Sequence, residues 1–414
     1  MKQLLAKYKY EFLLFAIGIL WIEFFNILLQ VTQQHIIYPD SQSYVNASKD
    51  LYLFFRGHLT RPIGMALITG FPLIFKASDA TLYVFGFCVN LVCWLFFLLL
   101  LFQILKEFLK PNIAFLSTLT CMLILGNTAS VFHVSSESIY MLFMVTAMFF
   151  LWRYYKNNSL LHLAWALFFI IISVLIKPGS LLFAIIFTLY FIVKIYKMHQ
   201  SKVVYLIYAS WLLIGIQCAG LKYQFGNFTT SYIDAITYYC YLGAKAASLE
   251  KQQDFHEVWL ERTHFIYNQA PPNQKKIAKA DLIKHLETNR VNLGKAYLQN
   301  LFENATTGSV PIHDCKNVNR IKYFSISKKL LFELSVWQNI AFSILALLLS
   351  SYLLIAFYKT DQFLSIIAAF ILYTILLSGV SCSEGDRFNV ITFPFVVVLI
   401  AKWLSKKSKR TAQF

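Results

Sequence analysis

Five charged side chains stand out in a chain that is otherwise poor in charge: the carboxylates Asp40 and Glu137 and the cations Arg61, Lys177 and Arg387. A positioned carboxylate can take the proton of a hydroxyl or amine as it attacks, a contribution of roughly 10²–10⁴ in rate. Arginine offers a planar fork and lysine a compact charge for phosphate oxygens, and stabilising a departing phosphate is electrostatic work of the kind that dominates many active sites. The residues therefore suit transfer of a group from a phosphate to an acceptor, with Asp40 as base, Glu137 orienting the acceptor, and Tyr44 and Asp386 as neighbouring substrate contacts. A divalent cation such as magnesium or manganese, if the chemistry uses one, would be shared by Asp40 and Glu137. Each residue also has a plainer reading. Asp40 before Ser-Gln-Ser is a good helix cap, Glu137 suits a helix N-terminus, Lys177 precedes a helix-stopping Pro-Gly, and Arg387 has Glu384 and Asp386 close by as surface partners.

The elements that must position these groups follow from composition. Of 414 residues, 58% are hydrophobic and 14% charged, against about 25% charged in soluble domains, and the apolar residues come in blocks long enough to cross a bilayer core. The sequence predicts an all-α integral membrane protein with ten spans, near 12–29, 80–105, 112–128, 137–152, 160–176, 180–196, 203–220, 337–357, 362–380 and 389–404. The apolar run after Met1 to Lys9 is too long for a signal peptide and reads as a retained helix. The net charge of +17 sits in clusters beside the spans: Lys2, Lys7 and Lys9; Lys106 and Lys110; Arg153 and Lys156; Lys194, Lys197 and Lys202; Lys359; and the tail from Lys402. That is the pattern of cytoplasmic loops, which argues against nucleic acid as a partner. Both termini are then cytoplasmic.

With this topology the candidate residues fall together on the extracytoplasmic side, where ionisable groups near a bilayer are costly and usually functional. Two long segments share that side. In 31–79, Tyr44, Ala47, Leu51 and Phe54 or Phe55 recur at helical spacing, so an amphipathic helix is expected in the interface. In 221–336, a small helical subdomain is expected, with Ile283, Leu286, Leu293, Tyr297 and Leu301 on one face after Pro271-Pro272. The domains are thus 1–220, holding the first loop 31–79, then 221–336, then 337–414. Glu23 and Asn26, a turn apart in the first span, are expected to face the bundle interior. His58, His133 and His313 read as solvated loop histidines, and Asn227 and Asn304 head short sequon patterns. The seven cysteines show no zinc spacing. Cys240 and Cys315 share the large loop, and sequence alone leaves their pairing open.

The stretch Tyr38-Pro39-Asp40-Ser41-Gln42-Ser43-Tyr44, with Arg61-Pro62-Ile63-Gly64 and Phe71-Pro72, resembles the GT-C superfamily of membrane glycosyltransferases. The similarity is to bacterial members related to protein mannosyltransferases and the aminoarabinose transferase of lipid A, the glycosyltransferase family 39 type. Ser135-Ser136-Glu137-Ser138, Ile176-Lys177-Pro178-Gly179 and Gly385-Asp386-Arg387-Phe388 extend it, while Met65 stands where that family often has tyrosine. The resemblance implies an enzyme of the bacterial inner membrane that moves a sugar from a polyprenyl phosphate to a lipid, glycan or protein acceptor on the extracytoplasmic side. Asp40 would be the base, and Arg61, Lys177 and Arg387 would hold the donor phosphate. Two other classes compete. An O-antigen polymerase or ligase would rest on basic residues of the large loop, and a transporter or flippase would show paired halves, of which the sequence has none.

Overall fold

In the computed structural model, residues 7–33 and 39–411 are described; Lys2 and Tyr38 lie outside them. The described residues form helices and turns with no strand. Four helices are long and apolar enough to cross a membrane, Lys9–Leu29, Asp79–Lys106, Val204–Phe225 and Phe324–Phe357, and shorter apolar helices accompany them. Large apolar side chains point outward along them, such as Leu20, Leu348 and Ile355, as fits a membrane protein, since lipid tails accept what water would not.

Several expected spans have a different shape. The segment 112–128 is a helix Pro111–Met122, a break, and a short helix Leu125–Ser130. The segment 180–196 is split at Phe191 into Leu181–Tyr190 and Ile192–Lys197. The span expected at 337–357 is the end of a 34-residue helix that begins at Phe324. The excursion before it, 226–323, is a cluster of shorter helices around its own apolar group, including Ile236, Leu242, Ala246, Ile266, Leu293 and Ala296. Its expected apolar face is only half right. Leu293 is buried and Tyr297 packs on Gly379, but Ile283 and Leu286 are exposed, because the chain breaks at Asn289 into Pro271–Thr288 and Arg290–Thr306.

The helix bundle has two polar ends. At one, Lys106 pairs with Glu11 at 3.0 Å, Lys156 with Glu107 at 2.7 Å and Lys406 with Asp361 at 3.5 Å, while Lys402 lies 4.4 Å from the centre of the Trp152 ring. At the other, the helix Glu137–Asn157 begins. Its 21 residues separate the two ends by roughly 30 Å at the rise of an α-helix, close to the thickness of a bilayer core.

In the first helix Glu23 is exposed, and Asn26 instead caps the helix end through Thr32, its Oδ1 accepting from the Thr32 amide at 3.0 Å and hydroxyl at 2.9 Å. The expectation of an inward face is overturned for Glu23, while Asn26 is half-buried. Helical periodicity placed the two on one side without saying which side the bundle covers.

A set of buried asparagines ties the excursion to the last helices. Asn304 donates to the carbonyls of Ser378 and Ser381 at 2.9 and 3.0 Å, Asn300 to Gly379 at 3.1 Å, and Asn339 and Asn389 both donate to the Asn304 carbonyl, at 2.7 and 2.9 Å. These bonds hold the turn 379–389 where helical hydrogen bonds stop. With no exposed surface, Asn304 is also no glycosylation acceptor. Removing it strands buried carbonyls, each costing roughly 1–3 kcal/mol. Asn304→Ala is therefore expected to lower the thermal unfolding midpoint of the detergent-solubilised protein well beyond any effect of Gln299→Ala, an exposed neighbour.

Candidate functional site

The turn 58–61 and the head of the helix Pro39–Phe54 make the first wall. His58 is not a loose surface ring. Its Nδ1 accepts from the backbone amides of Thr60 and Arg61 at 3.2 and 3.1 Å, and burial holds the ring below the ordinary histidine pKa, so it stays a neutral acceptor. Pro62 then opens the helix Ile63–Thr69. Gly64 permits its close packing, since a Cβ there would meet the Leu175 carbonyl at 2.5 Å. Arg61 is thereby aimed at Asp40, to whose Oδ1 it donates, and its Nε donates to Ser43 Oγ at 2.7 Å. Its guanidinium lies 4.5 Å from the centre of the Tyr44 ring. Tyr44 is buried beneath it, so this tyrosine braces Arg61 and does not present an open face to a substrate. The helix buries Ser41, Tyr44, Val45, Ala47 and Ser48, while Phe54 and Phe55 are exposed. The packed face is thus rotated from the expected one toward the two serines.

Glu137 starts its helix 2% exposed, and its Oε1 accepts from Arg387 Nε at 2.6 Å and Lys177 Nζ at 3.2 Å. Lys177 comes from an extended residue between two short 3₁₀ turns. The Ser180 hydroxyl donates to the Lys177 carbonyl at 2.8 Å, and Tyr373 donates to the carbonyl of Gly179. Arg387, on the turn Gly385–Arg387, completes the site. Its Nη1 donates to Asp40 Oδ2 at 2.6 Å and to Glu384 Oε2 at 3.2 Å. The plain surface pairing with Glu384 therefore exists, inside a larger network. Three cations, Arg61, Lys177 and Arg387, face three carboxylates, Asp40, Glu137 and Glu384.

The structure thus brings Asp40, Glu137, Arg61, Lys177 and Arg387 into one cluster drawn from four distant parts of the chain. Asp386 does not face it. Its carboxyl, 3% exposed, lies behind Arg387 against the backbone of Gly126. A divalent cation does not fit between Asp40 and Glu137, because the Arg387 guanidinium bridges them there, and no trio of His, Cys, Asp or Glu suited to a metal occurs among the described residues. His133 is buried, and burial pushes its ring down to about 4, leaving it neutral. His313 is exposed beside Asp314 at 2.9 Å. Cys240 and Cys315 are free thiols in separate apolar clusters. Ser43 and the asparagines behind Arg387 were not signalled by the sequence, since single polar residues carry no periodic pattern.

Burial alone would raise the Asp40 carboxyl, but the charges of Arg387 and Arg61 outweigh it and hold it below its ordinary value of 3.8. In this state Asp40 is a weak base and a firm ion-pair partner. No protein-family model matches the chain, and no curated protein or solved structure matches it.

Two outcomes follow for stability. Because Asp40 is more acidic folded than unfolded, its contribution is complete at neutral pH and is lost as pH falls below about 3.8; Asp40→Asn should lose this part of the acid limb in a pH series of thermal melts. Arg387→Ala leaves Glu137 buried with one cation fewer and should cost roughly 3–5 kcal/mol, read as a lowered unfolding midpoint at neutral pH.

Proposed function

We propose that the protein is a membrane glycosyltransferase that moves a sugar from a polyprenyl phosphate to an acceptor at the extracytoplasmic face, with inversion at the anomeric carbon. The observation that carries this reading is the double clamp on Asp40, one carboxylate oxygen on Arg61 and the other on Arg387. Phosphate oxygens match the same two forks. A donor phosphate entering the cluster competes with the carboxylate for both guanidiniums, and Lys177 adds a third charge. Once released, Asp40 returns toward its ordinary basicity beside the anomeric carbon.

The acceptor O–H or N–H then gives its proton to Asp40 as its lone pair attacks that carbon. The bond to the phosphate oxygen breaks on the opposite face, and its electron pair stays on the phosphate, where the cations hold it. A donor dissolved in the bilayer suits a site about one helix length from the basic end, because the lipid chain can remain in the membrane while the head group reaches the cluster. The ten-span topology, with both termini cytoplasmic and the excursion covering the site, belongs to the same proposal. The polymerase or ligase alternative would rest on cations of the late loop other than Lys245, Arg262 and Lys275, which pair with Glu303, with Asp281 at 2.6 Å and with Asp234 at 2.7 Å.

In membranes supplied with polyprenyl-phosphate sugars, Asp40→Asn is expected to lower transfer by roughly 10²–10⁴ while binding of the lipid donor is retained. Unchanged transfer would remove Asp40 as the base, and lost uptake or export with transfer intact would favour a transporter.

A further inference from the structure

Within the excursion, sharing no residue with the ionic cluster, lies a polar cavity of about 220 Å³ between the helices Gly243–Lys251, Phe255–Tyr267 and Pro271–Thr288. That is room for several waters or one small ring compound, and less than the roughly 300–1,000 Å³ of sites for drug-sized ligands. Its back wall is fixed. Arg262 donates through Nε to the Tyr239 carbonyl at 2.9 Å and through both terminal nitrogens to the Asp281 carboxylate at 3.1 and 2.6 Å, and its guanidinium lies 3.8 Å from the centre of the Tyr239 ring. Asn289, 8% exposed, donates to Glu250 Oε2 at 2.9 Å and comes within 3.3 Å of His285 Nδ1.

One pair of polar groups on this wall is left open. His285 is 5% exposed, and since its Nδ1 faces an amide donor, the ring proton sits on Nε2. That N–H has no hydrogen-bond partner among the described residues: Asp281 Oδ2, at 3.7 Å, is beyond hydrogen-bond range. A hydroxyl seated between the two closes the gap, accepting from Nε2 and donating to Oδ2. Asp281 keeps lone pairs beyond the two that Arg262 occupies, and Glu250 offers its second oxygen to a further hydroxyl.

Charge decides the class of ligand. The wall carries Glu250, Glu261 and Asp281 against Lys251, Arg262 and Lys284, and burial holds His285 below the ordinary histidine value, so it stays neutral. The sum is zero, and an entering ion of either sign would be desolvated with no excess charge to match it. A neutral compound rich in hydroxyls meets donors and acceptors in turn. We propose that this cavity binds a neutral sugar ring, with one hydroxyl bridging His285 and Asp281 and another on Glu250. The wall also belongs to the π-turn Tyr238–Leu242. Tyr239 lines the cavity, and Tyr241, two residues on and on a different face, lies within reach of the charges of Glu384 and Asp40. If transfer proceeds as proposed above, the cavity holds a second sugar of a glycan acceptor or product on the other side of that turn. That consequence rests on the functional reading; the binding site does not.

Saturation-transfer NMR of the full chain in lipid nanodiscs, with no donor present, tests the site. The probes are glucose, galactose, mannose and N-acetylglucosamine, each free and as its methyl glycoside, with a glucose phosphate as the charged comparator. Transfer to the ring protons of at least one neutral sugar is expected, insensitive to added salt and retained in Asp40→Asn, which keeps this result separate from the transfer reading. Affinity should fall roughly tenfold in His285→Phe, for the lost hydrogen bond, and binding should vanish in Thr288→Trp, which fills the cavity from an exposed position on its lining. No transfer to any neutral sugar, or transfer unchanged in both variants, would overturn the proposal. So would a glucose phosphate that binds more tightly than glucose and is lost in Thr288→Trp. Methyl glycosides that bind as well as the free sugars support a chain-terminal residue as the ligand; their failure to bind would contradict the acceptor consequence and leave a free monosaccharide.

Discussion

Arg387 joins the two ends of the chain. One guanidinium reaches Asp40 across 347 positions of sequence and Glu137 across 250, so the first loop, the head of the Glu137–Asn157 helix and the turn before the last helix must all be in register for it to form. The rest of the site is arranged around that condition. The asparagines at 300, 304, 339 and 389 hold the turn that carries Arg387, His58 shapes the turn that carries Arg61, and Ser180 with Tyr373 fixes the turn that carries Lys177.

Such a cluster is expensive to bury. Taking ions out of water costs several kcal/mol each, and mutual attraction repays this only when geometry and hydrogen bonding are good. A pair of apolar residues of similar volume would hold the helices together at least as well. That the chain keeps six charges here, and matches them sign for sign, points to use beyond holding the fold. In the proposed transfer, the interaction that weakens Asp40 as a base would make its release conditional on a competing anion.

The charged residues were legible in sequence because they are rare in an apolar chain and sit beside proline, glycine and serine turns at the ends of hydrophobic runs. Asp40, Arg61, Glu137, Lys177 and Arg387 could be chosen for that reason alone. Their mutual contacts could not, since those depend on which turns the helices bring together. Asp386 was misplaced by one register step: neighbouring residues on a tight turn point to opposite sides, and Arg387 took the side facing the cluster. Glu23 was misplaced because helical spacing fixes which residues share a face but not what covers it. The long apolar helices were plain from composition, whereas the break at Phe191 falls inside an apolar run with no proline or glycine to mark it, and Leu123 precedes Gly126 by three residues. The asparagine contacts had no sequence signal at all, because their partners are backbone carbonyls far along the chain.

The most direct measurement of the central claim is a structure of the full chain with a polyprenyl phosphate bound in a lipid nanodisc. The account predicts phosphate oxygens on the guanidiniums of Arg61 and Arg387, with the Asp40 carboxylate turned away from both. Phosphate bound elsewhere while both arginines remain on Asp40 would contradict it.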